Sequence, residues 1–414
     1  MKRLGILWLV VLISLMGFGV TTIPFPLVTE QMGASDFWKT FGGPGVFSIF
    51  QLLATPIWGR YSDRLGRKPI LLASLAGSVL AYIWLAYAGD LVSLLVARAF
   101  GGIMSGNLAA TYAYATDVTD QSNRAKGLGI VASAFGVGFA IGPPLGGFLG
   151  TDASGNASLY GPALASALLS FIALLATWLF LPESLPREQR KPWRAAASAV
   201  ARAGSPLGAL RGQGVLLGLT IAALAVSVGG AAMQSIYQFW GRDLFGFPLQ
   251  LIGLQFMLFA TFSIVGQVVL IDPLVRRLGE KRVAMLAAGG VALSLAMFAV
   301  VTDPGFVWVT MALFGMANGL FLPSVSSLVS YQTTPQNRGA VMGVFNSASS
   351  AGRIIGPGVS GPLYFNLGPA APFVAGAALT LLGCLLLSRA HARAGSVAAT
   401  AAAPPAAPPR DAAG

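Results

Sequence analysis

Two arginines, Arg98 and Arg353, stand inside stretches otherwise dominated by apolar and small residues. A guanidinium at a helix centre costs ~2.5–3.5 kcal/mol on insertion scales, so each group is expected to face a cavity or a partner. For Arg98, snorkelling to the headgroups is the alternative, because Asp90 marks a membrane edge shortly before it. Groups suited to catalysis are scarce. His391 is the only histidine, which removes histidine triads and multi-histidine metal clusters. Cys384 is the only cysteine and lies in an apolar run, leaving neither a disulfide framework nor a thiolate metal site. With no histidine or carboxylate cluster in the apolar stretches, an enzyme would lack its acid and base. No catalytic residue, metal or cofactor is expected.

Carrying protons across a membrane calls for a group that alternates between protonated and ionised forms, usually a buried carboxylate. Glu30 falls near the outer end of the first apolar stretch and Asp117 near the inner end of the fourth; Asp90, Asp243 and Asp303 sit at outer edges. Glu30 reads either as a loop charge or as a coupling group.

Composition dictates what carries these residues. Of 414 residues, 55% are hydrophobic and only 10% charged, too few charges for a water-exposed surface. Apolar runs of about 20 residues, enough to cross ~30 Å of hydrocarbon, recur along the chain. Read against turn and charge clusters they give twelve candidate spans, about 4–28, 42–60, 69–88, 91–114, 125–150, 161–181, 214–240, 249–271, 282–301, 305–329, 338–362 and 371–388. Lipid offers no hydrogen-bond partners, so the spans must be helices; barrel strands are only ~10 residues long and alternate in character. The fold class is an all-α membrane protein.

Net charge is +12, and its placement separates a nucleic-acid surface from a membrane topology. With a cytoplasmic N-terminus, 22 of the 26 Lys and Arg fall in loops and tails on one side, against Lys39 and Arg242 on the other and Arg98 and Arg353 within spans. That asymmetry is the positive-inside pattern and places both termini in the cytoplasm of a cell inner membrane, with lipid rather than nucleic acid as partner. The start, Met1-Lys2-Arg3 and an apolar run to about Val28, has no small-x-small cleavage site and reads as a first helix. The Ala/Pro-rich tail from about 391 cannot build a core.

Sliding the sequence on itself by 214 residues sets Ser133–Gly147 on Ser347–Gly361 and Phe100-Gly101 on Phe314-Gly315. A repeat of this kind divides the chain into six-helix bundles at 1–186 and 214–390, a cytoplasmic connection at 187–213 and a tail at 391–414. In transporters such repeats put the substrate at the interface of the halves, near the bilayer midplane.

Between spans 2 and 3 lies Gly59-Arg60-Tyr61-Ser62-Asp63-Arg64-Leu65-Gly66-Arg67-Lys68, a two-glycine turn dense in fixed charge. Span 5 carries Gly138, Gly142-Pro143 and Gly146-Gly147, with Ala or Gly at 134, 138, 142, 146 and 150, a bare face that lets helix backbones approach. At these residues the sequence resembles the major facilitator superfamily, whose loop signature is G-x-x-x-D-R-x-G-R-[KR] and whose antiporters carry the span-5 motif. The resemblance implies twelve helices and a conformational latch joining Asp63, Arg64, Arg67, Lys68 and Arg124 with Asp117. It also implies a coupling role for Arg98; Arg353 and Glu30 are further coupling or gating candidates. The second-half loop keeps Gly279 and its basic charge but has Arg276 where Asp63 stands.

The opening Met16 to Pro26 and the run Ala115 to Asp120 are similar to tetracycline/proton antiporters, but Ser14 stands where those carry an aspartate. The cavity must then be read from uncharged residues. Thr21, Thr22 and Phe25 in span 1, Asn107 and Tyr112 in span 4, Gln234, Tyr237 and Gln238 in span 7 and Asn318 in span 10 are expected to line it, with Gln51, Gln255 and Asn346 as second choices. A mostly apolar cavity suits hydrophobic or amphiphilic solutes. The expected activity is efflux of hydrophobic drugs or metabolites in exchange for protons, by a monomer working through alternating access. Export of sugars or other polar metabolites is the second reading, and a membrane protein that transports nothing is the third.

Overall fold

The computed structural model describes residues 2–120, 123–190, 214–333 and 338–389. Twelve long helical segments fill these ranges. The first six are α1 (Lys2–Thr22, resuming after Ile23-Pro24 as Phe25–Gln31), α2 (Pro44–Leu65), α3 (Arg67–Ala86), α4 (Leu91–Asp117), α5 (Arg124–Leu149) and α6 (Tyr160–Phe180). The second six are α7 (Gly214–Phe245), α8 (Leu249–Leu278), α9 (Glu280–Val300), α10 (Pro304–Tyr331), α11 (Arg338–Leu367) and α12 (Ala371–Arg389). A short helix, Asp36–Phe41, precedes α2. Of the connection expected at 187–213, only 187–190 is described, as a single turn Arg187–Gln189 and Arg190, and the tail 391–414 lies outside the described residues.

Among the described residues, ten of these segments are long and apolar enough to cross a membrane. The two that fall short, α2 and α11, are diluted by polar residues: Gln51, Thr55 and Arg60 in one, Asn346, Ser347, Ser349, Ser350 and Arg353 in the other. Outward-facing positions such as Leu53, Leu80, Phe180, Leu286 and Val300 are exposed, a belt suited to lipid.

In lipid, apolar surface alone does not drive helices together, so close backbone approach has to supply the contact energy. Glycines provide it in the same register in both halves. A β-carbon on Gly142 of α5 would stand 2.8 Å from the Gly19 Cα and 2.9 Å from the Met16 carbonyl of α1. The residue 214 positions later, Gly356 of α11, meets the Val228 carbonyl at 2.6 Å and the Ala232 amide nitrogen at 2.7 Å in α7. At one face of the molecule, here the loop face, each half is also tied at its rim. Lys68 Nζ donates to the Trp178 carbonyl near the end of α6 at 2.8 Å, and Lys281 Nζ donates to the Ser388 carbonyl near the end of α12 at 2.8 Å. Both carbonyls belong to last helical turns, which lack partners within their own helices.

Candidate functional site

A cavity of about 390 Å³ lies between the halves. Its wall is built from six helices of the first half, with Ser14, Phe18 and Thr22 on α1, Phe47 and Gln51 on α2, Tyr82 on α3, Asn107 on α4, Phe139 on α5 and Ser170 on α6. The second half contributes Gln234, Ser235 and Gln238 from α7 and Arg353 and Pro357 from α11. Among the described lining residues Arg353 is the single formal charge, and no carboxylate faces the cavity. Arg353 is exposed to the space and donates to Ser350 Oγ at 2.9 Å. Gln238 is 1% exposed, and neither its amide oxygen nor its amide nitrogen has a partner. Asn107 and Gln51, by contrast, are spent on the wall: they donate to Ser74 Oγ at 2.5 Å and to the Ser105 carbonyl at 3.2 Å.

Several residues expected at the cavity stand elsewhere. Thr21 is fully buried and Phe25 nearly so, and both surround Arg98 instead. Arg98 is 4% exposed; its guanidinium sits 4.6 Å over the Phe25 ring and reaches the Thr21 carbonyl at 3.5 Å, while its Nε has no partner. Tyr237 points into the second-half core, donating to Gln255 Oε1 at 2.7 Å among Trp240, Phe256 and Phe298. Asn318 donates to the Phe314 carbonyl one turn back at 3.2 Å, and Tyr112 is an exposed residue away from the cavity lining. Thr22, Asn107, Gln234 and Gln238 do line it.

The loop face holds a charge network centred on Arg67, which is 7% exposed. Its Nη1 donates to Asp63 at 2.5 Å and to Ser62 Oγ at 3.0 Å, and its Nε donates to Asp117 at 3.1 Å. One planar guanidinium therefore fastens the end of α2 and the end of α4 to the start of α3. The turn that delivers it needs Gly66, whose φ is +108° and whose β-carbon would collide with the Glu183 carboxylate. Glu183 caps α3 from outside, accepting from the Arg67 backbone amide at 2.8 Å, where a carboxylate also meets the positive end of the helix. Ser184 Oγ donates to Asp117 at 3.0 Å. Glu183 and Ser184 are absent from the expected latch. The signal for Glu183 was an acidic residue just after span 6, close in the chain to the basic residues of the connection. A β-carbon on Gly59 would stand 3.5 Å from Ala109 Cβ, and Arg64 is exposed. The Arg124 side chain lies outside the described residues. All the described members of the network belong to the first half.

The polar contacts described between the halves are at the opposite face. Arg242 of α7 pairs with Glu30 at the end of α1, and also holds Asp243 at 2.7 Å, which accepts from Tyr364 of α11 at 2.9 Å. Thr40 donates to the Pro357 carbonyl at 2.7 Å. The last turns of α5 meet the first turns of α8: β-carbons on Gly147 and Gly253 would run into the Leu249 and Pro143 carbonyls. The span-5 motif thus packs on α1 through Gly138, Gly142 and Gly146 and across the half boundary through Pro143 and Gly147.

Two six-helix halves around a shared cavity, with the Asp63–Arg67 loop at one face, define a secondary-transporter architecture, and the comparisons agree. The profile of the Major Facilitator Superfamily matches residues 7–271 and 242–411, and the chain belongs to that family of transporters. It is similar to tetracycline resistance protein class G of Vibrio anguillarum, at 30% identity over 84% of this chain and 87% of that one. It is 31% identical to major facilitator superfamily domain-containing protein 10 of Bos taurus over 83% of this chain and 77% of the relative. Among solved structures, that of the human organic anion transporter MFSD10 (TETRAN) aligns with a TM-score of 0.69 at 25% identity, covering 93% of this chain and 99% of the other.

Proposed function

We propose that the protein exports hydrophobic or amphiphilic solutes by alternating access, exchanging them for protons. The observation that carries this reading is the central cavity, mostly apolar and shared by α1, α7 and α11. The two bundles, 1–186 and 214–390, are the bodies that rock about it, with both termini and the Asp63–Arg67 loop on the cytoplasmic side of a cell inner membrane. In this arrangement the face joined by Glu30–Arg242 and Thr40–Pro357 is the outer one. The similarity to tetracycline resistance proteins supports efflux of drug-like molecules.

The described residues of the cavity wall include no carboxylate, so proton coupling is assigned to the outer gate. Glu30 pairs with Arg242 across the boundary between the halves, so it is the carboxylate whose charge bears on the opening of that face. Exchange further requires that the proton taken up outside be released inside, through the same conformational change that carries the solute outward. Transport by purified protein in liposomes tests this. An outward-directed solute flux should rise with an inward proton gradient, and flux indifferent to that gradient removes the antiport reading. Glu30→Gln should abolish the response to the gradient while solute-for-solute counterflow persists.

A further inference from the structure

Position 353 and position 139 correspond under the repeat, since both lie at the same point of helices that align 214 residues apart. Both line the cavity, one with a guanidinium and the other with a phenyl ring. This difference extends to their surroundings. On the first-half side Phe18 stands 4.8 Å from Phe47 and 6.3 Å from Phe139, ring centre to ring centre, forming an aromatic wall. On the other side, Gln234 and Gln238 lie one turn apart on one face of α7, which packs against α11 where Gly352 and Gly356 flank Arg353.

Neither polar group is used up by the protein. Among the described residues Arg353 has no carboxylate within ion-pair distance, only the Ser350 hydroxyl, and Gln238 is buried with both amide atoms unbonded. A cation held in an apolar cavity without a counter-charge gains most from an incoming anion and repels an incoming cation. The aromatic wall suits a flat apolar body rather than a polyol.

We propose that the cavity selects amphiphilic organic anions, the acidic head group seated against Arg353 and the Gln238 amide and the aromatic or apolar body against Phe18, Phe47 and Phe139. This rests on the cavity being the transport site and adds the charge of the substrate to that reading.

Three probes of one aromatic body test it: naphthalene-2-sulfonate, neutral naphthalene-2-sulfonamide and (2-naphthylmethyl)trimethylammonium. Binding to the detergent-solubilised full chain is measured for all three, and counterflow in liposomes separately for the two permanently charged ones. The wild type should bind the sulfonate best and the ammonium least. Arg353→Gln should weaken sulfonate binding by roughly tenfold or more, the loss expected of one charge-assisted contact, and leave the sulfonamide within about twofold. Arg353→Lys, which keeps the charge, should retain much of the preference and serves if the glutamine variant does not fold. The proposal is overturned if the ammonium binds as well as the sulfonate, if none of the three binds, or if Arg353→Gln keeps the order. Sulfonate binding without counterflow supports the anion seat and overturns the transport reading instead.

Discussion

Arg242, near the end of α7, crosses the boundary between the halves to pair with Glu30 of α1, on the face opposite the Asp63–Arg67 network. Around it, Asp243 and Tyr364 extend the contact to α11. One of the first-half helices that line the cavity is thereby joined at one end to the two second-half helices that line it.

Because both partners are partly exposed, the pair is worth about 1 kcal/mol, or a shift of about fivefold in the balance of open and closed forms. In a Cys384→Ser background, Gln234→Cys should react with an impermeant maleimide added at the Glu30 face about fivefold faster once Glu30→Gln is introduced. An unchanged rate would show that the contact does not hold that face shut.

Asp63→Asn keeps an acceptor oxygen for Arg67 but removes the negative charge from one of its three side-chain partners. The protein should insert normally and turn over more slowly, by roughly fivefold, as measured by counterflow. Arg67→Ala should cost more, about 3 kcal/mol, because two carboxylates lose their buried partner together; thermal unfolding in detergent checks it.

Two glycines of α5 should respond oppositely to a methyl group. Gly146 has no room, since its β-carbon would run into the Val20 carbonyl, and Gly146→Ala should destabilise by about 1–3 kcal/mol and impair transport. Gly129 has open space around it, and Gly129→Ala should be neutral or stabilise by up to about 1 kcal/mol through helix propensity. Equal effects at the two sites would contradict the packing described for the motif.

Local motifs were legible because their residues are neighbours in the chain. The turn at Gly66, the nearby Asp63 and the bare face of α5 are all contained within a few helical turns. Direction around a helix was not legible in α7, whose buried residues include Leu219, Val226, Met233, Tyr237 and Trp240 and leave no polar stripe to mark a face. Gln238 and Tyr237 are adjacent in sequence, yet one faces the cavity and the other enters an aromatic core. Thr21 and Phe25 were displaced for another reason: a buried guanidinium needs acceptors and a ring face, and Arg98 claimed both. Glu183 escaped notice because its role is to cap a helix more than one hundred residues earlier, a relation with no local pattern.

The amines of Lys68 and Lys281 close each ring of helices on itself without touching the other ring. A rocking motion can therefore proceed with both rims intact, sliding along the seam between rings. Amide exchange at the last turns of α6 and α12 should consequently be equally slow whichever side of the membrane the protein faces, whereas the seam between α5 and α8 should change its protection with every stroke.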